Sequence, residues 1–296
     1  MRPNPKQLVD FFSRSLSSFH SSPDVFRVLC TLPHHGGSKE PAPRPSNSKQ
    51  LGQRQRLVVL DSSFNPPTRA HAEMAKSALE WASSSSSSSA RLMLLLSVNN
   101  ADKAPKPASF PTRLGMMEGF GHELLKDFAN ANEGPDIDLA VTKMPYFHDK
   151  ARVIAESGFY AGEGNPAPEQ IFLAGFDTVI RIFNPKYYGS EDGGMKAALG
   201  PFFENARLRV TMRTDDEWGG EDEQVRYVKG LGEGGLDEVG GDKDWAGKVD
   251  LVEGRKGGVS SSRVRELVKS EKREGLEGMV DGEVLAWIDG EGLYRE

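Results

Sequence analysis

Short apolar runs that alternate with segments of helical composition limit most strongly what this chain can fold into. The runs are bounded by turn residues and are too short for helices, which is typical of buried parallel strands. Strands separated by helices indicate an α/β fold built on a parallel sheet. The predicted strands cover 57–60, 92–98, 137–141, 171–175, 208–212 and 249–252, and the predicted helices cover 70–82, 111–131, 149–157, 177–183, 262–272 and 281–289.

The overall composition excludes several functional classes. The chain has 296 residues and a net charge of -6, so it lacks the basic surface that a general nucleic-acid binder needs. Its one cysteine, Cys30, allows no internal disulfide and argues against a cysteine-based zinc site. No run of about 18 apolar residues occurs, so we predict no membrane span. These features fit a reducing compartment, and we expect a cytoplasmic or nuclear protein.

The chain divides into two predicted parts. Residues 1–56 form an accessory helix and a linker rich in proline and glycine, and residues 57–296 form the main domain. Within that domain, the serine tract 83–89 and the acidic, glycine-rich stretch 214–248 are predicted to be mobile loops. The N-terminal helix would pack on the domain or bind a protein partner, and its basic bias also fits a mitochondrial targeting segment. Its apolar face consists of Leu8, Phe11, Phe12, Leu16 and Phe19.

The segment after the first predicted strand places hydroxyl, amide and imidazole groups at the start of a helix. It reads Ser63-Phe64-Asn65-Pro66-Pro67-Thr68-Arg69-Ala70-His71. A helix N-terminus carries unpaired N–H donors and partial positive charge, so it favours phosphate. Thr68 can cap this helix, and His71 lies three residues later on the same face. The pattern predicts a phosphate site, but a capped helix with a surface histidine would show the same pattern.

A second segment near the end of the chain has the same character. Val259-Ser260-Ser261-Ser262-Arg263-Val264-Arg265 joins a strand end, a run of hydroxyls and a helix N-terminus. The serine hydroxyls and backbone amides can hold phosphate oxygens, and the Arg265 guanidinium can bind a triphosphate through two nitrogens. A helix capped by serine, with its arginines in solvent, is the alternative.

Together the two segments resemble a known pair of motifs. The first is similar to the (H/T)xGH motif of the nucleotidyltransferase superfamily, in the form found in nicotinamide mononucleotide adenylyltransferases, and the second resembles the ISSTxxR motif. Thr68 stands where many members have a first histidine, and Ala70 replaces the usual glycine. The resemblance implies an α/β, Rossmann-like doubly wound parallel sheet with a C-terminal helical subdomain. It also implies that His71 and Arg265 act on the ATP phosphates.

Segments between the two motifs resemble the same family. The stretch after the second strand is similar to one that supplies a phosphate-binding lysine, for which Lys103 and Lys106 are both candidates. Gly175 and Asp177 match the family's GxD segment, and Tyr188 stands where the family stacks a tryptophan on the nicotinamide ring. The resemblance assigns further nucleotide contacts to Ser62, Ser63, Phe64, Asn65, Arg213, Ser260, Ser261 and Ser262.

One family feature is missing from the chain. Met144-Pro145-Tyr146-Phe147 occupies the region of the family's Trp-Glu pair, so Tyr146 or Phe147 would take over a stacking role. The Leu60–Pro67 form of the first motif resembles a divergent fungal branch linked to filamentous growth. For that branch, the resemblance leaves two activities open: adenylyl transfer and nucleotide hydrolysis.

The resemblance implies a complete reaction. AMP would pass from ATP to nicotinamide or nicotinate mononucleotide, giving NAD and pyrophosphate, with Mg²⁺ bound to the ATP oxygens mostly through water. Two alternatives stay open: a CTP-dependent transferase with another phosphorylated acceptor, and an ATP-binding or ATP-hydrolysing scaffold. The chain would bind no nucleic acid, and either a homo-oligomer or a protein partner would fit. A Rossmann dehydrogenase is disfavoured, because no Gly-x-Gly-x-x-Gly follows the first strand.

Overall fold

The structure is a computed structural model that describes residues 4–34, 56–84, 90–98, 107–128, 134–161, 167–189, 193–213, 218–254 and 258–295. In chain order its elements are α1 (Pro5–Ser21), β1 (Phe26–Leu32), β2 (Arg56–Asp61), α2 (Arg69–Ala82), β3 (Ala90–Ser97), α3 (Phe110–Asp127), β4 (Ile137–Thr142), α4 (Phe147–Glu156), β5 (Glu169–Gly175), α5 (Phe176–Ile182), α6 (Gly194–Asn205), β6 (Ala206–Thr211), α7 (Glu221–Gly230), α8 (Leu236–Glu238), β7 (Val249–Val252), α9 (Ser261–Lys269) and α10 (Gly282–Gly290).

The strands form one seven-stranded sheet in the order β1-β4-β3-β2-β5-β6-β7. All neighbours are parallel except β1, which pairs with β4 in the antiparallel sense. From β2 the chain adds β3 and β4 on one side, then returns to add β5, β6 and β7 on the other. The predicted doubly wound parallel sheet is therefore confirmed. The order reverses between β2 and β5, and such a switch point opens a crevice at the carboxyl ends of the strands.

Two apolar layers cover the two faces of the sheet. Successive residues of a strand point to opposite faces, so Val58 and Leu60 enter one layer while Leu57 and Val59 enter the other. The first layer is completed by α1, α2, α3, α9 and α10. The second layer is completed by α4, α5, α6 and the segment around α8. Both ends of the chain thus contribute to the first layer, the one that contains the helix of the first motif.

The N-terminal segment is part of the sheet rather than only a helix beside it. The predicted apolar face of α1 is buried, with Phe12 and Phe19 fully enclosed, and α1 packs on α3. This face is therefore covered by the chain itself. Strand β1 was not predicted, because Arg27 and Thr31 interrupt its apolar pattern. Most of the predicted linker, residues 35–55, lies outside the described residues.

The segment 214–248, predicted to be a mobile acidic loop, contains helical turns over most of its length. Residues 221–230 form α7, a π-turn covers Leu231–Gly235, α8 follows, and a 3₁₀ helix covers Lys243–Lys248. Leu231, Leu236 and Trp245 are buried and anchor the segment to the second layer. Three apolar anchors separated by glycines and acids give no helical period, so the sequence pattern did not show them.

The predicted C-terminal helical subdomain is present, and its last helix, α10, packs closely on α3. A side chain at Gly115 of α3 would place its Cβ 2.6 Å from the Trp287 ring of α10, so only glycine permits this contact. Near the chain end, Tyr294 is buried in the same layer. Across the described residues, every helix is too short or too polar to cross a membrane.

Candidate active site

His71 lies at the start of α2, with both ring nitrogens held by the first motif. Its Nδ1 is 3.0 Å from the Thr68 backbone nitrogen and 2.8 Å from the Thr68 hydroxyl, and its Nε2 is 3.0 Å from the Ser62 hydroxyl. The backbone N–H can only donate, so Nδ1 accepts and the hydrogen resides on Nε2. The predicted pairing of Thr68 and His71 at the helix start is therefore present.

The surroundings of His71 keep the ring neutral. Burial lowers the pKa of the imidazole to about 4, because desolvation disfavours its charged form. A proton on Nδ1 would also lie against the Thr68 backbone N–H, which donates to this atom at 3.0 Å. His71 is thus a neutral donor through Nε2, placed at a helix N-terminus whose amides favour an anion. Such a donor can bind a phosphate oxygen without first losing a proton.

The turn before α2 has an unusual backbone. Phe64 has a φ of 45°, in the left-handed region that non-glycine residues seldom adopt and that often marks functional sites. Its ring is fully buried, 5.6 Å from the His71 ring and 6.5 Å from the Phe120 ring. The predicted nucleotide contact of Phe64 is therefore limited to its main chain. Asn65 is nearly as buried, whereas Ser63 is exposed at the site.

The two motifs touch directly. Arg265 donates from one nitrogen to the Asn65 carbonyl at 2.7 Å and from the other to the Ser262 hydroxyl at 3.1 Å. Ser261 donates to the Pro66 carbonyl at 2.7 Å. Ser260 caps α9, accepting from the Arg263 N–H. Bonds between the two motifs therefore hold the N-termini of α2 and α9 close together.

A cleft of about 210 Å³ opens beside this junction, at the carboxyl ends of β5, β6 and β7. Asp177 follows Gly175 in the chain, pairs with Arg181 and lies 3.7 Å from Arg213. The position of Gly175 is tight, since a Cβ there would meet the Asp177 carboxylate at 2.7 Å. The cleft joins both motifs to the GxD segment, and its lining includes Ala70, Met74, Ser77, Gly175, Arg209, Arg213, Val259 and Ser260.

Residue 70 needs no special backbone in this fold. Ala70 lies inside α2, which begins at Arg69, so it has a right-handed helical conformation that any L-residue adopts. Ala70 also lines the cleft. The replacement of the family's glycine is therefore compatible with the geometry.

Several residues that support the site were missed by sequence reasoning. Asp61, the last residue of β2, forms a buried ion pair with Lys150 of α4 at 2.5 Å. The Tyr294 hydroxyl donates to the Asn65 side chain at 2.9 Å. Gln224 of α7 both accepts from the Arg213 N–H and donates to its carbonyl. Asp61 lies within the first motif, but no local pattern in the sequence shows its partner Lys150, nor the partners of Tyr294 and Gln224.

Tyr188 lies in a separate aromatic groove. Its hydroxyl donates to the Ile182 carbonyl at 2.6 Å, and its ring is 5.9 Å from His148, which stacks on Tyr146 at 5.7 Å. Phe147 lines the same groove but packs inward against Phe172. The rings of Tyr146 and Tyr188 thus offer flat apolar faces near the start of α4. Lys103 and Lys106, the predicted phosphate lysines, lie outside the described residues.

Comparisons with known proteins give a close sequence relative. No family model matches the chain. A Schizosaccharomyces pombe protein named "Putative nicotinamide mononucleotide adenylyltransferase" is 34% identical over 232 residues, which are 77% of this chain and 82% of that protein. Among solved structures, Plasmodium falciparum nicotinic acid mononucleotide adenylyltransferase complexed with APC has a TM-score of 0.48 at 14% identity, over 81% of this chain and 96% of its own. Its complex with NaAD has a TM-score of 0.47 at 15% identity, over 81% and 98%.

Proposed function

Because the chain belongs to the nicotinamide mononucleotide adenylyltransferase family, we propose that it transfers AMP from ATP to nicotinamide or nicotinate mononucleotide. An oxygen of the acceptor phosphate attacks the α-phosphorus of ATP and forms a new P–O–P bridge. The bond to the β-phosphate breaks, and its electron pair leaves with pyrophosphate. The attacking phosphate is already ionised near neutral pH, so catalysis rests on orienting the two nucleotides and stabilising charge.

The observation that carries this proposal is the direct contact between the two motifs. Arg265 bonded to the Asn65 carbonyl holds a permanent cation beside the α2 N-terminus, where His71 offers its Nε2–H. In the proposed complex His71 turns this donor from Ser62 to an ATP phosphate oxygen. Arg265 contacts the triphosphate, and the amides of α9 bind the remaining oxygens. Lys103 or Lys106 would hold the acceptor phosphate or the pyrophosphate.

The donor set of the site suits Mg²⁺ carried by ATP. Two carboxylates beside the motifs, Asp61 and Asp177, are paired with Lys150 and Arg181, so neither is a ready ligand. Mg²⁺ keeps much of its water and binds nucleotides mainly through phosphate oxygens. The residues present therefore fit an ion held by ATP and water, which would neutralise charge on the phosphates. His71 and Arg265 supply the chain's own part of this charge balance.

A direct assay tests the proposed function. Purified full-length protein is incubated with ATP and either nicotinamide or nicotinate mononucleotide, and the dinucleotide and pyrophosphate are quantified by chromatography. We expect equal amounts of the two products with at least one acceptor, and far less product with CTP as donor. Stoichiometric ATP binding without dinucleotide from either acceptor would contradict the proposal, as would release of phosphate alone.

The aromatic groove supplies a second prediction, on the acceptor. Tyr188→Ala should raise the KM for the mononucleotide by roughly three- to tenfold, because a stacked aromatic pair contributes about 0.5–1.5 kcal/mol beyond its area. The KM for ATP should stay unchanged, since ATP would bind at the motif junction. Steady-state kinetics with each substrate varied in turn measures both values.

The conservative variant Tyr188→Phe is the matched control. It keeps the ring and loses only the bond to the Ile182 carbonyl, so it should retain most of the wild-type KM for the acceptor. Equal increases in the KM of both substrates in Tyr188→Ala would show instead a general disturbance of the second layer.

A further inference from the structure

Three side chains capable of binding a metal converge on α3, away from the two motifs. His34 follows β1, and Glu118 and His122 lie one turn apart on α3. Their ligand atoms all lie within 4.8 Å of one another, and no other such group occurs among the residues that the structure describes. None of the three stands out in the sequence, because His34 meets the other two only through the fold.

The nitrogen atoms of this cluster are shielded from solvent. In the described part of the chain, His34 Nδ1, His34 Nε2 and His122 Nε2 are buried and have no hydrogen-bond partner. His122 Nε2 is only 3.0 Å from a Glu118 oxygen, but the two atoms do not form a hydrogen bond. Buried ring nitrogens without partners are costly, and a cation bound by the two Nε2 atoms would remove that cost for these two atoms.

The spacing of the ligand atoms fits a small tetrahedral ion. Glu118 Oε1 is 3.0 Å from His122 Nε2 and 3.6 Å from His34 Nε2. Bonds of about 2.0–2.1 Å, which zinc makes to nitrogen and oxygen, give a tetrahedron with edges of about 3.3–3.4 Å. The two measured edges lie on either side of this value. The Glu118 side chain is fully buried, so it cannot swing away into solvent.

We propose that His34, Glu118 and His122 bind one Zn²⁺ ion, with water at the fourth position. Two imidazoles and one carboxylate suit zinc, whereas Mg²⁺ prefers an all-oxygen set. The ion would join the end of β1 to α3. The same helix carries Arg113, which donates to the Ser63 carbonyl at 3.4 Å, so the zinc fixes the N-terminal segment to a helix that supports the site without entering the reaction.

Metal binding to the purified full-length protein tests this site. Protein freed of metal with a chelator is titrated with Zn²⁺ by calorimetry, and with Co²⁺, which absorbs visible light strongly in tetrahedral sites. We expect one ion per chain, a rise of several degrees in Tm with saturating Zn²⁺, and no competition from excess Mg²⁺. These measurements do not depend on transferase activity, so they stand apart from the test of the proposed function.

Variants of the ligands decide the outcome. Glu118→Gln keeps the shape of the buried side chain, and His34→Ala changes a partly exposed residue, so both should fold, as circular dichroism checks. Each should weaken zinc binding by more than the 10- to 100-fold typical of an outer-sphere partner. His20→Ala, on the exposed side of α1, should bind zinc as the wild type does. Absence of zinc binding in the wild type, or equal affinity in the ligand variants, would overturn the proposal.

Discussion

Replacement of His71 by alanine is expected to lower kcat/KM for dinucleotide formation by about 10²–10³-fold. The reason is that His71 is a fixed donor at the α2 N-terminus, held by Ser62 and Thr68, and such a donor acts most on charge that grows in the transition state. Binding of ATP alone should weaken much less, because Arg265 and the α9 amides remain. Steady-state kinetics and calorimetric titration with ATP measure the two effects.

The control for this variant is His20→Ala, which removes an exposed histidine from α1 and should leave the kinetics unchanged. A loss in kcat/KM below about threefold in His71→Ala would rule out the donor role assigned here. If ATP affinity and kcat/KM fell by the same factor, His71 would contribute to the binding of ATP in the ground state rather than to the transition state.

The low pKa of His71 also determines how activity and stability should depend on pH. Because the ring titrates at about 4 in the folded protein, it stays neutral over about pH 6–8, and activity should show no inflection near the ordinary value of 6.5. Between 6.5 and about 4 the unfolded chain binds a proton that the folded chain does not. Stability should therefore fall as the pH falls through this window, and less so in His71→Gln. Urea unfolding at several pH values checks the sign.

Asp138→Ala is expected to lower the free energy of unfolding by about 3–5 kcal/mol. Asp138 is fully buried and accepts two bonds from Arg91, at 2.6 and 2.7 Å. It also accepts from the hydroxyls of Thr31 and Tyr160. Its loss would leave the Arg91 charge buried without its main partner, and would loosen β1, β3 and β4 together. Urea titration measures the change.

Two further variants separate the charge from the packing. Asp10→Ala removes an exposed carboxylate from α1 and should change stability by less than about 0.5 kcal/mol. Arg91→Met combined with Asp138→Leu should recover part of the loss, because the double change removes both charges of the Arg91–Asp138 pair from the core. The recovery should be partial, since buried Asp136 then loses its 3.4 Å contact with Arg91. A double variant as unstable as the sum of its single changes would show that the ion pair is not what links the strands.

The central strands and both motifs could be predicted because their signals are local. The run at β2 is apolar over 57–60, and the turn and helix start that follow are written in consecutive residues. The contact between the two motifs could be predicted only from the family resemblance, since no local pattern shows that Arg265 donates to the Asn65 carbonyl. What was predicted well is therefore either short in sequence or shared with relatives.

The features that were missed depend on distant partners. Strand β1 exists because it pairs with β4 and covers Phe19 and its neighbours, and its own sequence alternates too poorly to show a strand. The ion pair of Asp61 and Lys150 joins β2 to α4, and its two residues look like ordinary surface charges in the sequence. The α7 segment was missed for a related reason, because its few apolar anchors are held by the second layer.

The bonds between the two motifs have a consequence for how the protein is made. Arg265 and Ser261 bind main-chain carbonyls of Asn65 and Pro66, residues that leave the ribosome long before α9 does. The turn with its left-handed Phe64 must therefore wait for almost the whole chain before its partners arrive. A nascent chain that lacks α9 has no Arg265 cation to place beside the first motif, so the junction of the two motifs can form only late in synthesis.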